Sequence, residues 1–104
     1  MAAATVALPA QLTLRDARIA LATLEAAIAA TSEDQVSLDA AALTDIDSAT
    51  LAVLLQCRRT AEARQLGFSV SNAPARLVEL AQLYGVDGLL ALSAADGPPA
   101  ASAG

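Results

Sequence analysis

The 104 residues include no histidine, and this removes most catalytic templates at once. A Ser-His-Asp triad, a Cys-His pair and the usual zinc sites all use an imidazole as base or ligand. Cys57 is the sole cysteine, so no internal disulfide can form and no second thiol completes a redox pair. Within a helical stretch it reads as a small buried hydrophobe. The five glycines, Gly67, Gly85, Gly88, Gly97 and Gly104, form no phosphate-cradling pattern, so the chain is not expected to bind ATP by itself. Asp39, Asp45 and Asp47 could be imagined around a hard cation, which prefers carboxylate oxygens. Their spacing lacks the glycine and the distant glutamate of a calcium loop, and carboxylates before a helix already suit the positive end of its dipole. No metal or cofactor is expected, and no enzyme activity. The residue that keeps a chemical role is Ser48, a hydroxyl directly after Asp47 at the head of an apolar-periodic run. Its oxygen could accept a hydrogen bond from an unpaired amide in the first turn of that helix.

The elements around Ser48 follow from hydrophobic spacing. Thr5-Val6-Ala7-Leu8 is β-branched and apolar and stops at Pro9, which suits a short strand. From about Leu14 to Ala30 the residues Ala17, Leu21, Leu24 and Ile28 recur at steps of four, three and four, predicting a helix with one apolar face. The polar run from Thr31 to Gln35 turns the chain into Val36-Ser37-Leu38-Asp39, an alternating strand, and Thr44 to Asp47 reads as a loop. Ser48 is expected to cap a second helix running to about Leu66 and closed by Gly67. Two rows leave its first turn. Leu54, Cys57 and Ala61 point to the core, whereas Leu51 and Leu55 lead to Arg58 and Glu62 and should emerge toward solvent. Phe68 to Ser71 alternates as a third strand, Asn72 is expected to cap a third helix with Pro74 in its first turn, and Gly85 to end it. Leu77, Leu80, Ala81 and Tyr84 mark its face, while the form of Val86 to Leu92 stays open.

Strand, helix, strand, helix, strand, helix calls for a mostly parallel sheet joined by right-handed crossovers, with helices packed against it. The expectation is one α/β domain over residues 1–92, followed by a flexible Ala/Pro/Gly/Ser tail over 93–104. A chain of this length forms one core. Hydrophobic residues make up 56% and the mean hydropathy is +0.52, but alanine supplies much of both. The best apolar stretch, Ile19 to Ala30, holds Thr23 and Glu25 and is shorter than the roughly 20 residues a membrane span needs. The N-terminus lacks a basic leader, so a cytoplasmic protein is expected. A net charge of −5, with Phe68 and Tyr84 the only aromatic residues, argues against nucleic acid, which would be repelled and find little to stack on.

The stretch Leu43-Thr44-Asp45-Ile46-Asp47-Ser48-Ala49-Thr50-Leu51-Ala52-Val53-Leu54-Leu55 resembles the signature of STAS domains, in which an Asp-Ser or Asp-Thr pair stands where a strand turns into a helix. The resemblance continues through Arg64 to Val70 and Asn72 to Leu77. It is sharpest at Leu80-Ala81-Gln82-Leu83-Tyr84-Gly85-Val86, which is similar to the end of MlaB-type members. It departs at Thr50, where many members have glycine, and at the start, where only Met1 to Ala4 precede the first strand and the family's usual opening strand has little room.

The resemblance implies a STAS-like fold and a non-catalytic cytoplasmic subunit, peripheral to the inner membrane. It would bind and support the ATPase of an Mla-type phospholipid-transport ABC complex, which is associated with outer-membrane lipid asymmetry, and through that ATPase reach the membrane permease. The family's functional position falls on Ser48, with Asp47, Ala49 and Thr50 beside it; Leu51 and Leu55 are added from the row that leaves the core. The other branch of the family implies an anti-sigma factor antagonist switched by phosphorylation of Ser48. Phosphate there would add about −1.5 to −2 charge beside Asp45 and Asp47.

Overall fold

The alternation at Val36 to Asp39 becomes an inner strand of a parallel sheet in the computed structural model, which describes residues 3–94. In chain order the elements are β1 (Ala3–Ala7), β2 (Gln11–Leu12), α1 (Ala17–Ala30), β3 (Gln35–Asp39), β4 (Asp45–Ile46), α2 (Ser48–Ala63), β5 (Gly67–Ala73), α3 (Ala75–Leu83), α4 (Asp87–Leu90) and β6 (Leu92–Ala94). The main sheet has the order β1-β3-β5-β6 with every pair parallel, and β2 and β4 form a separate two-residue parallel ladder. Register explains the two faces. Val6, Leu38, Val70 and Leu92 lie side by side in one apolar row, and Ala4, Val36 and Phe68 in another. The intervening row Thr5, Ser37 and Ser69 is polar and lies on the opposite face, as a period of two requires.

The helices close the apolar face. Leu24 and Ile28 of α1 are buried, with Ala17 and Leu21 half-buried beside them, as their spacing predicts. In α2, Leu54, Cys57 and Ala61 are fully buried. Burial and the nearby Glu25 push the Cys57 thiol up to about 12, so it stays protonated and unreactive at neutral pH. Three side-chain bonds fasten the helices together: the Arg64 guanidinium donates to the Ile28 carbonyl at 2.6 Å, and the Thr60 hydroxyl and the Gln56 amide donate to the Glu25 carboxylate at 2.9 and 3.4 Å.

Two local expectations are corrected. Gln65, not Gly67, takes the left-handed conformation after α2, with φ of 61°. The Gln65 and Leu66 amides donate back to Glu62 and Ala61, the paired bonds of a Schellman ending. Gly67 is needed for a different reason: a Cβ there would lie 3.0 Å from the Gln35 side chain on the neighbouring strand. Because Gln65 is exposed and strained, Gln65→Gly is expected to stabilise the domain by about 0.5–1 kcal/mol in urea unfolding at unchanged m-value; a loss of stability would contradict the strain. Second, Pro74 rather than Asn72 stands at the start of α3, and no side chain caps it. Asn72 is the left-handed residue near the end of β5, φ 55°, and its amide donates to the Asp39 carboxylate at 3.0 Å. That bond and the Ala41 amide hold the Asp39 carboxyl below its ordinary range. The segment from Val86 to Leu92, whose form stayed open, leads through α4 into β6, which includes Ser93 and Ala94 and pairs with β5. The rest of the expected tail, and any strand ahead of β1, lie outside the described residues. Gly85 does end α3 with φ of 72°, as expected.

Candidate partner-binding site

The start of α2 is built by Asp47, not by Ser48. One carboxylate oxygen of Asp47 accepts the Ala49 amide at 2.8 Å, and the other accepts the Leu14 amide at 3.1 Å. Asp47 is therefore the N-cap, and it also fastens the turn before α1 to the head of α2. The Thr50 hydroxyl completes a reciprocal capping box, accepting the Asp47 amide at 3.0 Å while donating to the Leu12 carbonyl at 2.6 Å. It acts as a relay from the end of β4 to the end of β2, and so pins the two-residue ladder to the helix. This explains the short strand at Asp45–Ile46, where a loop was expected. A glycine at position 50 could not supply that relay.

With capping assigned to Asp47, the hydroxyl of Ser48 is released. Ser48 is exposed, and its side chain makes no hydrogen bond among the described residues. Helical geometry places Ser48, Ala52, Leu55 and Arg59 in one row at steps of four, three and four. Ser48, Ala52 and Arg59 are exposed and Leu55 is half-buried, so this row is the outer crest of α2. Beside the crest runs a groove of about 560 Å³ between α1 and α2, lined among others by Leu14, Arg18, Ala49, Ala52 and Gln56. Leu14 is 78% exposed at its edge.

The six residues singled out from sequence thus divide. Ser48, Ala49 and Leu55 reach the surface at least in part. Both oxygens of Asp47 are engaged within the domain. Thr50 is fully buried and Leu51 is 3% exposed, so neither can touch a partner docked on the folded surface. Leu51 starts a row that leaves the core only later, at Arg58 and Glu62, whose side chains pair at 2.8 Å. Sequence reasoning missed Ala52 and Leu14. Ala52 was detectable as the residue one turn after Ser48, whereas Leu14 arrives through the fold, by the bond from its amide to Asp47. Asp39, Asp45 and Asp47 do not converge, and among the described residues no cluster of metal-ligating groups forms.

A family model described as "Mlab, STAS domain" matches residues 1–91. The chain belongs to the STAS domain family. Among solved structures, the STAS domain of the SulP transporter from Vibrio cholerae superimposes with a TM-score of 0.72 at 16% identity, covering 90% of this chain and 74% of that one. That likeness establishes the fold. No curated protein matches the chain significantly. STAS domains in general serve interaction and regulation, both with transporters and as anti-sigma factor antagonists. This STAS domain has no helix among its described residues long and apolar enough to cross a membrane.

Proposed function

We propose that this STAS domain is a non-catalytic cytoplasmic subunit that binds and supports the ATPase of an Mla-type phospholipid-transport ABC complex, peripheral to the inner membrane. The observation that carries this reading is the match over residues 1–91 to the family model bearing the MlaB description. The contact surface in this reading is the head and crest of α2, with Ser48, Ala49, Ala52 and Leu55, together with Leu14. It suits a protein partner because small side chains and a free hydroxyl allow close approach, and the capping box holds the surface rigid beneath them. No nucleic acid, metal or cofactor takes part.

A second reading has its own support. Ser48 is exposed and released from capping, so a kinase could reach its hydroxyl, and a phosphate there would meet the helix N-terminus and also Asp45 and Asp47. An anti-sigma factor antagonist would work by that switch. Affinity purification of the full chain from its native lysate separates the two. Recovery of an ABC ATPase with its permease, with Ser48 unmodified, is expected. Recovery of a kinase-like anti-sigma factor with phosphate on Ser48 would replace the transport reading with the second.

A further inference from the structure

Among the described residues, β1 stands at an edge of the sheet with β3 on one side and no strand on the other. Leu8 donates its amide to the Asp39 carbonyl at 2.8 Å, and Val6 faces Leu38 in the ladder. In a parallel pair only alternate residues bond to a given neighbour, so Ala4, Val6 and Leu8 serve β3. The amides and carbonyls of Ala3, Thr5 and Ala7 then point away from it, and these three residues are exposed. Free edges are ordinarily protected by charge, proline, a bulge or brevity. Here β1 is five residues of Ala, Thr and Val with regular pairing throughout. The opposite edge, β6, has only three residues and an irregular register with β5.

The β1 edge is also self-complementary. About a two-fold axis through Thr5, an antiparallel copy sets Ala3 against Ala7 and Thr5 against Thr5. The outward-pointing groups would then exchange about six backbone hydrogen bonds in narrow pairs. Every facing side chain is small and uncharged, so this junction avoids the repulsion that a net charge of −5 per chain creates elsewhere. A second observation lies next to it. At the C-terminal end of β1 a groove of about 700 Å³ opens between Ala7, Leu8 and Pro9 and the flank of α1 carrying Ile19, Ala20 and Thr23. Ile19 is 76% exposed there. This flank is the one turned away from α2, whose groove uses Leu14, Arg18 and Leu21 instead. A strand pair alone covers less than the roughly 800 Å² per partner of a stable interface, and the α1 flank supplies further apolar area on the same side.

We propose that two copies of this chain pair through their β1 edges, antiparallel and centred on Thr5, with the α1 flank of each closing on the other. The α2 crest of both copies stays free in that dimer.

Sedimentation equilibrium of the full chain from micromolar to millimolar concentration is expected to show a monomer-dimer equilibrium. Thr5→Lys places two ammonium groups at the axis and is expected to weaken dimerisation at least tenfold, with the monomer's thermal unfolding unchanged, because Thr5 is exposed and its backbone groups serve no internal bond. Hydrogen exchange on the wild type gives a check independent of any variant. Thr5 and Ala7 amides should be protected only at dimer concentrations, and Ala4 and Val6 amides at all concentrations. A chain that stays monomeric to millimolar, a dimer indifferent to Thr5→Lys, or a dimer whose Thr5 and Ala7 amides exchange freely would each overturn the proposal.

Discussion

Replacing Thr50 with valine lowers the stability of the domain by about 2–4 kcal/mol. Valine keeps the shape and burial of threonine and removes only the hydroxyl. That hydroxyl serves two backbone groups, the amide of Asp47 and the carbonyl of Leu12; the carbonyl loses its partner in a fully buried position and the amide in a half-buried one. An unsatisfied buried polar group costs about 1–3 kcal/mol. Against the 5–15 kcal/mol typical of a domain, the loss is large, and at this chain length it lowers the melting temperature by roughly 10–20 °C. Thr50→Ser retains the relay and sacrifices one methyl group, so it should cost about 1 kcal/mol. Urea unfolding of wild type, Val and Ser variants tests the contrast. A Val variant no less stable than the Ser variant would mean that the relay contributes nothing.

The hydroxyl at position 50 also shows where the sequence was legible and where it was not. Period-two and period-3.6 patterns reported β3, β5 and the buried row Leu54, Cys57 and Ala61 correctly, because burial against one sheet face selects residue type position by position. Those signals are local, so they survive in one dimension. Caps are decided differently. At Asp47-Ser48 two adjacent residues are both good N-caps, and local chemistry ranks them nearly equal. The choice is made by Leu14 and Leu12, more than thirty residues earlier, which need one acceptor and one donor at this place. The same holds for Asn72. It has the composition of a cap, but Asp39 on the neighbouring strand draws its amide. Position 65 inverts an ordinary preference, because the left-handed residue is a glutamine although a glycine follows two residues later. Gly67 was required by the side chain of Gln35 across the sheet, a contact no local pattern records. β6 stayed open because Leu92-Ser93-Ala94 is too short for periodicity to speak, and only pairing with β5 defines it.

The same distinction between local and assembled features decides which substitution can test the docking surface. Leu51→Asp, drawn from the row leaving the core, is unsuitable. Leu51 is 3% exposed, and an unpaired charge placed there costs roughly several kcal/mol, so binding would fail through unfolding. Ala52 is exposed on the crest one turn after Ser48, with the Leu14 groove beside it. Ala52→Arg is therefore expected to leave the fold intact, since arginine ranks close to alanine as a helix former, and to place a long cation where a small side chain admits close approach. If the ATPase subunit docks on this crest, the affinity falls about 30-fold or more, the 2 kcal/mol scale of a central interface residue. Leu14→Asp, whose side chain is largely in water while its amide bond to Asp47 is kept, should weaken binding by a similar order without changing thermal unfolding. Arg76→Glu on α3 is exposed and far along the chain from the crest, and should bind as wild type does. Titration calorimetry with the purified ATPase subunit reads all three against the wild type. Undiminished affinity in both Ala52→Arg and Leu14→Asp would remove the crest of α2 as the contact. Loss in Ala52→Arg alone would confine the contact to the α2 side of the groove, with Ser48 rather than Leu14 as the neighbour that matters.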